Sequence, residues 1–180
     1  MNLNFFLTLT ITIFAQFKLI NTEREILDNK DKTYCYRFTW LGPAFNNETN
    51  LGNTDITCSD LITTNNQNPC RQPFLITEDG TYPDMNYVWD NYEETVRCEL
   101  TLGQYCIRYS HLTNGVVQNI TYMCGKIDVQ NEATPKRGCF TQKLSNRRVI
   151  EMCFCKTASG DPYPCNSSIS INKFSYLLFA

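Results

Sequence analysis

The chain has a single histidine, His111, and that scarcity removes much of the chemistry a protein can perform. One imidazole cannot form a histidine cluster for a metal, and the serines have no credible partner to activate them as nucleophiles. His111 also lacks the cysteine context of a secreted phospholipase site and lies in a β-prone run beside Asn114-Gly115, so it reads as a strand residue rather than a general base. No glycine-rich phosphate loop is present. Charge of one sign is missing too: 16 Lys and Arg face 18 Asp and Glu, a net charge of -2, so neither nucleic acid nor a membrane reached through a basic patch is expected as a partner. Sustained apolar spacing at three and four residues is absent beyond the first residues, which argues against long helices. The expectation is a protein that is not an enzyme, with no catalytic residues, no cofactor and no metal.

Cysteine is what the chain has. Ten are present, all between Cys35 and Cys165. An even set behind a secretion-like start reads as a disulfide framework, because such pairs persist in oxidising, extracellular compartments. The start is an uncharged, mostly apolar stretch from Phe5 to Phe14 that ends at the small residue Ala15. It is shorter than the ~20 apolar residues of a membrane-spanning helix and reads as a signal peptide over residues 1–16. Removing it leaves about 160 residues, the usual size of one domain. Each disulfide is then worth ~2 to 4 kcal/mol to a chain rich in polar loops.

Residues 17–33 are charged, without an apolar period, and read as a flexible leader segment. Thr33 to Trp40 is aromatic and β-branched, as expected of a strand entering the core, and Leu41 to Cys70 reads as a long loop. Two hairpins are predicted further on. Tyr105 to Leu112 and Val116 to Met123 flank Thr113-Asn114-Gly115, where Asn-Gly accepts the positive φ angles of a tight turn. Gly138 to Leu144 and Arg147 to Phe154 repeat the pattern around Ser145-Asn146. The predicted class is small, disulfide-rich and all-β.

The hairpins, the ten cysteines and the terminal Cys165-Asn166 together resemble the three-finger superfamily of lymphocyte-antigen-six and urokinase-receptor domains, as a divergent, invertebrate-type member. The resemblance covers Tyr34 to Asn166 and defines a domain over residues 34–166. It implies a three-finger fold with an extended first finger and loops, and pairing of Cys35 with Cys106, Cys58 with Cys70, Cys98 with Cys124, Cys139 with Cys153, and Cys155 with Cys165. It also implies a structural role for Asn166, hydrogen-bonding across the base of the fingers. The chain departs from the family in having Cys153-Phe154-Cys155 where two cysteines are usually adjacent, and in the wide spacing of Cys35 and Cys58. Residues 167–180 form a C-terminal tail. Its small polar start and apolar end carry part of a lipid-anchor signal, but the apolar end is short and Lys173 interrupts the tail.

Asn47-Glu48-Thr49, Asn119-Ile120-Thr121 and Asn166-Ser167-Ser168 are N-glycosylation acceptor sequences; Asn47 and Asn119 are the candidates for sugar, Asn166 for structure. The run holding Tyr82, Tyr87, Trp89, Asp90, Tyr92, Glu93 and Glu94 combines ring faces with carboxylates, which attract ammonium and guanidinium groups. The plain alternative is a strand with core aromatics and a solvated acidic side. The candidate binding residues are Trp89 and Tyr92 as anchors, Asp90 and Glu93 as charge partners, and Asn114 as a fingertip. The resemblance implies an extracellular protein-binding module, secreted or attached to the cell surface, that modulates a receptor or channel or acts in cell signalling. The contrasting reading is a secreted structural or matrix glycoprotein without a discrete receptor.

Overall fold

The structure, a computed structural model, describes Lys18, residues 32–45, Cys58, and residues 69–128 and 137–167. The predicted signal peptide, nearly all of the leader segment, Asn47, most of the loop up to Cys70 and the tail beyond Ser167 lie outside the described residues. The chain divides into two units, Met1–Lys32 and Thr33–Ala180, and the strands, the helix and the disulfides all belong to the second.

Eight strands and one helix make up the described part of that unit: β1 Tyr34–Tyr36, β2 Phe38–Trp40, β3 Phe74–Leu75, α1 Met85–Val96, β4 Arg97–Glu99, β5 Gln104–Thr113, β6 Val116–Lys126, β7 Gly138–Lys143 and β8 Arg148–Cys155. Strands β1 and β4 form a small antiparallel sheet, and the other six form one sheet in the order β3-β2-β6-β5-β8-β7. The molecule is a small, disulfide-rich, mostly β protein.

Both predicted hairpins are present. Asn114 and Gly115 turn β5 into β6 with φ of 53° and 78°, the paired positive values whose twist matches that of the flanking strands. Asn146 and Arg147 do the same between β7 and β8 with φ of 60° and 55°. Arginine has a Cβ that disfavours this conformation, yet the turn closes, with the Leu144 N–H donating to the Arg148 carbonyl at 2.8 Å. The hairpins lie side by side because β5 pairs with β8 from Cys106 opposite Cys155 to Thr113 opposite Arg148.

Two sequence readings need correcting. The predicted strand from Thr33 to Trp40 is broken at exposed Arg37, whose two sides enter different sheets. The acidic and aromatic run, for which a strand was the plain alternative, is instead the helix α1 from Met85 onward, with Tyr82 preceding it. Asp84 caps it by accepting from the N–H groups of Asn86 at 3.0 Å and Tyr87 at 3.2 Å, which satisfies donors that a first helical turn leaves unpaired. Met85, Val88 and Val96 form its buried side.

Residues directly opposite one another in an antiparallel pair share a face of the sheet, so the register sorts the core. One face carries Phe38, Trp40, Ile120 and Tyr122, which pack with Tyr36 and the buried side of α1. The other carries Ile107 and Phe154 with Tyr105. At the end of the strands where the disulfides gather, Cys35, Cys106, Cys153 and Cys155 are buried together. The five disulfides are Cys35–Cys106, Cys58–Cys70, Cys98–Cys124, Cys139–Cys153 and Cys155–Cys165. Such a set belongs to an oxidising compartment and marks the chain as extracellular or secreted. Among the described residues no helix is long and apolar enough to cross a membrane.

One irregularity shapes the long hairpin. His111 lies opposite Asn119 but Leu112 lies opposite Val117, so Gln118 is an extra, bulged residue. The bulge turns Val117 toward the side of the sheet that α1 covers, where it packs against the core. It also meets Gly42: a Cβ at that residue would stand 2.0 Å from the Gln118 carbonyl oxygen.

Candidate functional site

Helix α1 has the chemistry of a binding surface, and the way it is seated decides which side chains are available. Its inner side is fastened by Tyr36, whose hydroxyl donates to the Met85 carbonyl at 2.7 Å and whose ring meets Trp89 edge to face at 5.2 Å. Trp89 is therefore half-buried against the core, while Tyr92 is 50 % exposed. Asn86, Tyr87, Asp90, Asn91 and Glu94 form the outer side.

Tyr92 breaks the helix, with φ of -135° and ψ of 18°. In a regular helix residues five apart stand about 140° apart around the axis. Across the break the rings of Tyr87 and Tyr92 approach edge to face, with centroids 6.3 Å apart. Tyr87 is 57 % exposed. The result is an outward aromatic pair on a helix held firmly from below. Sequence reasoning did not single out Tyr87 as an anchor; its signal is the helical phase of positions 87, 90, 91 and 94, which is invisible while the segment is taken for a strand.

The carboxylates are not equivalent. Arg97 binds Glu93 at 2.9 Å and Glu94 at 2.8 Å, and its guanidinium lies over the Tyr34 ring at 4.8 Å. Glu93 is thus already matched by a charge of its own chain. Asp84 is occupied as the cap. Asp90 accepts from the Tyr163 hydroxyl at 3.3 Å, a neutral partner, and no basic group among the described residues pairs with it; its charge raises the Tyr163 phenol above its ordinary value. Asp90 and the two tyrosine rings are the part of the predicted constellation that stands exposed on α1.

Asn114 belongs elsewhere. It is exposed in the β5–β6 turn, and its backbone N–H donates to the Arg147 carbonyl at 3.1 Å, which joins the two hairpin tips. His111 is buried on the same hairpin, at 8 % exposure, and its Nε2 has no hydrogen-bond partner among the described residues. Burial, and then the charge of Arg148, hold its pKa below the ordinary value.

Two groups of sulfurs lie within 4.8 Å of one another, Cys35, Cys98 and Cys124, and Cys106, Cys155 and Cys165. Every one of these cysteines is in a disulfide, so neither group offers the thiolates a metal ion takes as ligands. Asn166 is completely buried; its Oδ1 accepts from the Tyr36 N–H, and its Nδ2 donates to the carbonyls of Tyr36 and Ile107. Asn119 is partly exposed on β6. No family model, no curated protein and no solved structure matches the chain.

Proposed function

We propose that the chain is an extracellular protein-binding module whose α1 surface receives another protein, and that its wider role is to modulate a cell-surface receptor or channel. The observation that carries the reading is the exposed Tyr87 and Tyr92 pair on the same helix as exposed Asp90. Tyrosines are enriched among the few residues that dominate interface energy, since a ring adds large contact area at small entropic cost. A basic side chain on the partner would meet the ring faces and the Asp90 carboxylate together. The disulfide-linked strand ends and the Tyr36 contacts keep that surface in one arrangement, which lowers the ordering cost of association. The resemblance to three-finger domains, which present binding surfaces from a disulfide base, agrees with this role.

The test is binding of the labelled, secreted full chain to intact cells. Saturable binding that weakens at least tenfold in the Tyr87→Ala/Tyr92→Ala variant, with all five disulfides retained, is the expected result. Binding that never saturates favours the matrix glycoprotein reading, and saturable binding unaffected by the double substitution moves the site away from α1.

A further inference from the structure

Of the acceptor sequences for N-linked sugar, two have described asparagines, and they are in opposite situations. The Asn166 side chain is 0 % exposed and gives both amide N–H groups away, to the Tyr36 carbonyl at 3.3 Å and the Ile107 carbonyl at 3.1 Å. A sugar on that nitrogen would replace one of these donors and would need space the fold does not have. Asn119 is partly exposed, and its amide makes no hydrogen bond among the described residues. Alternation along β6 sends Asn119 to the side of the sheet opposite Ile120 and Tyr122, hence away from α1.

The third residue of that acceptor sequence is where the fold intervenes. Thr121 is 0 % exposed, shares a hydrogen bond with the Thr39 hydroxyl at 3.1 Å, and donates to the Pro69 carbonyl at 2.8 Å. An enzyme that reads the hydroxyl at this position cannot reach it in the folded protein. The contacts that hide it span 82 and 52 residues of sequence, and such distant pairings form late because loop closure must precede them. A time window exists in which the sequence is synthesised but still open.

We propose that Asn119 carries an N-linked glycan, attached before β2 and the segment at Pro69 close over Thr121, and that Asn166 in the native protein carries none, because a chain modified at Asn166 loses its bonds to Tyr36 and Ile107 and does not reach this fold. The co-reactant is a lipid-linked pyrophosphate oligosaccharide. Nδ2 of Asn119 forms a bond to the sugar C1 as the bond from C1 to the pyrophosphate oxygen breaks; the lipid pyrophosphate leaves with the electron pair, and the amide loses one proton to a base on the transferase. The sugar then stands on the side of the sheet that α1 does not cover. The inference rests on passage through a eukaryotic secretory pathway and not on the proposed α1 surface.

The experiment uses the full chain in two forms. Secreted protein from eukaryotic cells is treated with peptide N-glycosidase in water labelled with oxygen-18, which marks each formerly glycosylated asparagine as labelled aspartate. Label at Asn119 with none at Asn166 is expected; unlabelled Asn119, or labelled Asn166, overturns the assignment. Unglycosylated chain is then offered to microsomal transferase with its lipid-linked donor, once folded with its disulfides formed and once reduced and alkylated. Modification of Asn119 only in the open chain is expected. Equal modification of both forms, or of neither, overturns the order of events. The Asn119→Gln variant should lose this glycan and keep its cell binding, so a failure here is distinguishable from a failure of the α1 site.

Discussion

Asn166 acts as a surrogate strand for Tyr36, 130 residues away in the chain: its Oδ1 accepts the Tyr36 N–H at 3.1 Å and its Nδ2 donates back to the Tyr36 carbonyl at 3.3 Å. A further bond to Ile107 extends the link to β5. One side chain thus satisfies both backbone groups of a buried residue and ties the C-terminal end of the domain to two strands. Because an unpaired buried polar group is expensive, the asparagine amide, with its donors and acceptor in one plane, is hard to replace.

Asn166→Ala should therefore lower folding stability by about 3 kcal/mol, roughly one for each bond lost. Urea denaturation of the secreted protein with intact disulfides measures it, and a loss within experimental error would show that water replaces the amide.

Gly42→Ala should be more damaging than Gly103→Ala, although both residues have positive φ, 87° and 79°. At Gly103 a Cβ meets nothing within 4 Å, so the expected cost is the conformational one alone, ~1 to 2 kcal/mol. At Gly42 it would collide with the Gln118 backbone, and the bulge or the end of β2 must move. Thermal unfolding of the two variants side by side separates the effects; equal melting temperatures would contradict the close approach.

Loss of the disulfides should follow the length of chain they close. Replacing both Cys35 and Cys106 by alanine releases a separation of 71 residues, against 10 for Cys155 and Cys165. Chain entropy then predicts losses of about 4 and about 3 kcal/mol. The complete burial of Cys35 and Cys106 acts in the same direction. Stability of the two double variants in denaturant gives the ranking, and the reverse order would refute it.

His111 should make the protein sensitive to mild acid. Its pKa is held below the ordinary 6.5, first by burial and then by the charge of Arg148. Above 6.5 the ring is neutral in both the folded and unfolded chain, so stability is at its full value. As the pH falls below that value the unfolded chain takes up the proton first, and stability drops until the folded-state value has been passed. His111→Leu, which also removes the Nε2 that is unpartnered among the described residues, should flatten the stability profile as the pH falls below 6.5. An unchanged slope would assign the acid sensitivity to other groups.

How much of this was legible in the sequence depended on how local the cause was. The β5–β6 turn was written in two adjacent residues, Asn114 and Gly115, and the second hairpin was visible from its β-prone runs. Helix α1 was not visible. It has valine, threonine and aromatic residues that favour strands, and its apolar positions, Met85, Val88, Trp89 and Val96, are too few for a sustained period. What could have revealed it is Asp84 as a capping residue, followed by apolar residues at helical spacing. With the helix unseen, Trp89 and Tyr92 looked alike, and Tyr87 was passed over.

The sequence by itself determined the disulfide-rich, mostly β class, the places of the two hairpins and the single imidazole, since these follow from composition and from turns a few residues long. The tertiary structure decided which aromatic rings face outward, which carboxylate keeps an unmatched charge, and which acceptor asparagine is spent on the backbone. Each of those outcomes depends on contacts between residues far apart in the chain: Trp89 is claimed by Tyr36, and Asn166 by Tyr36 and Ile107. No local pattern encodes such pairings, because they exist only once β1, α1 and β5 have been brought together in one core.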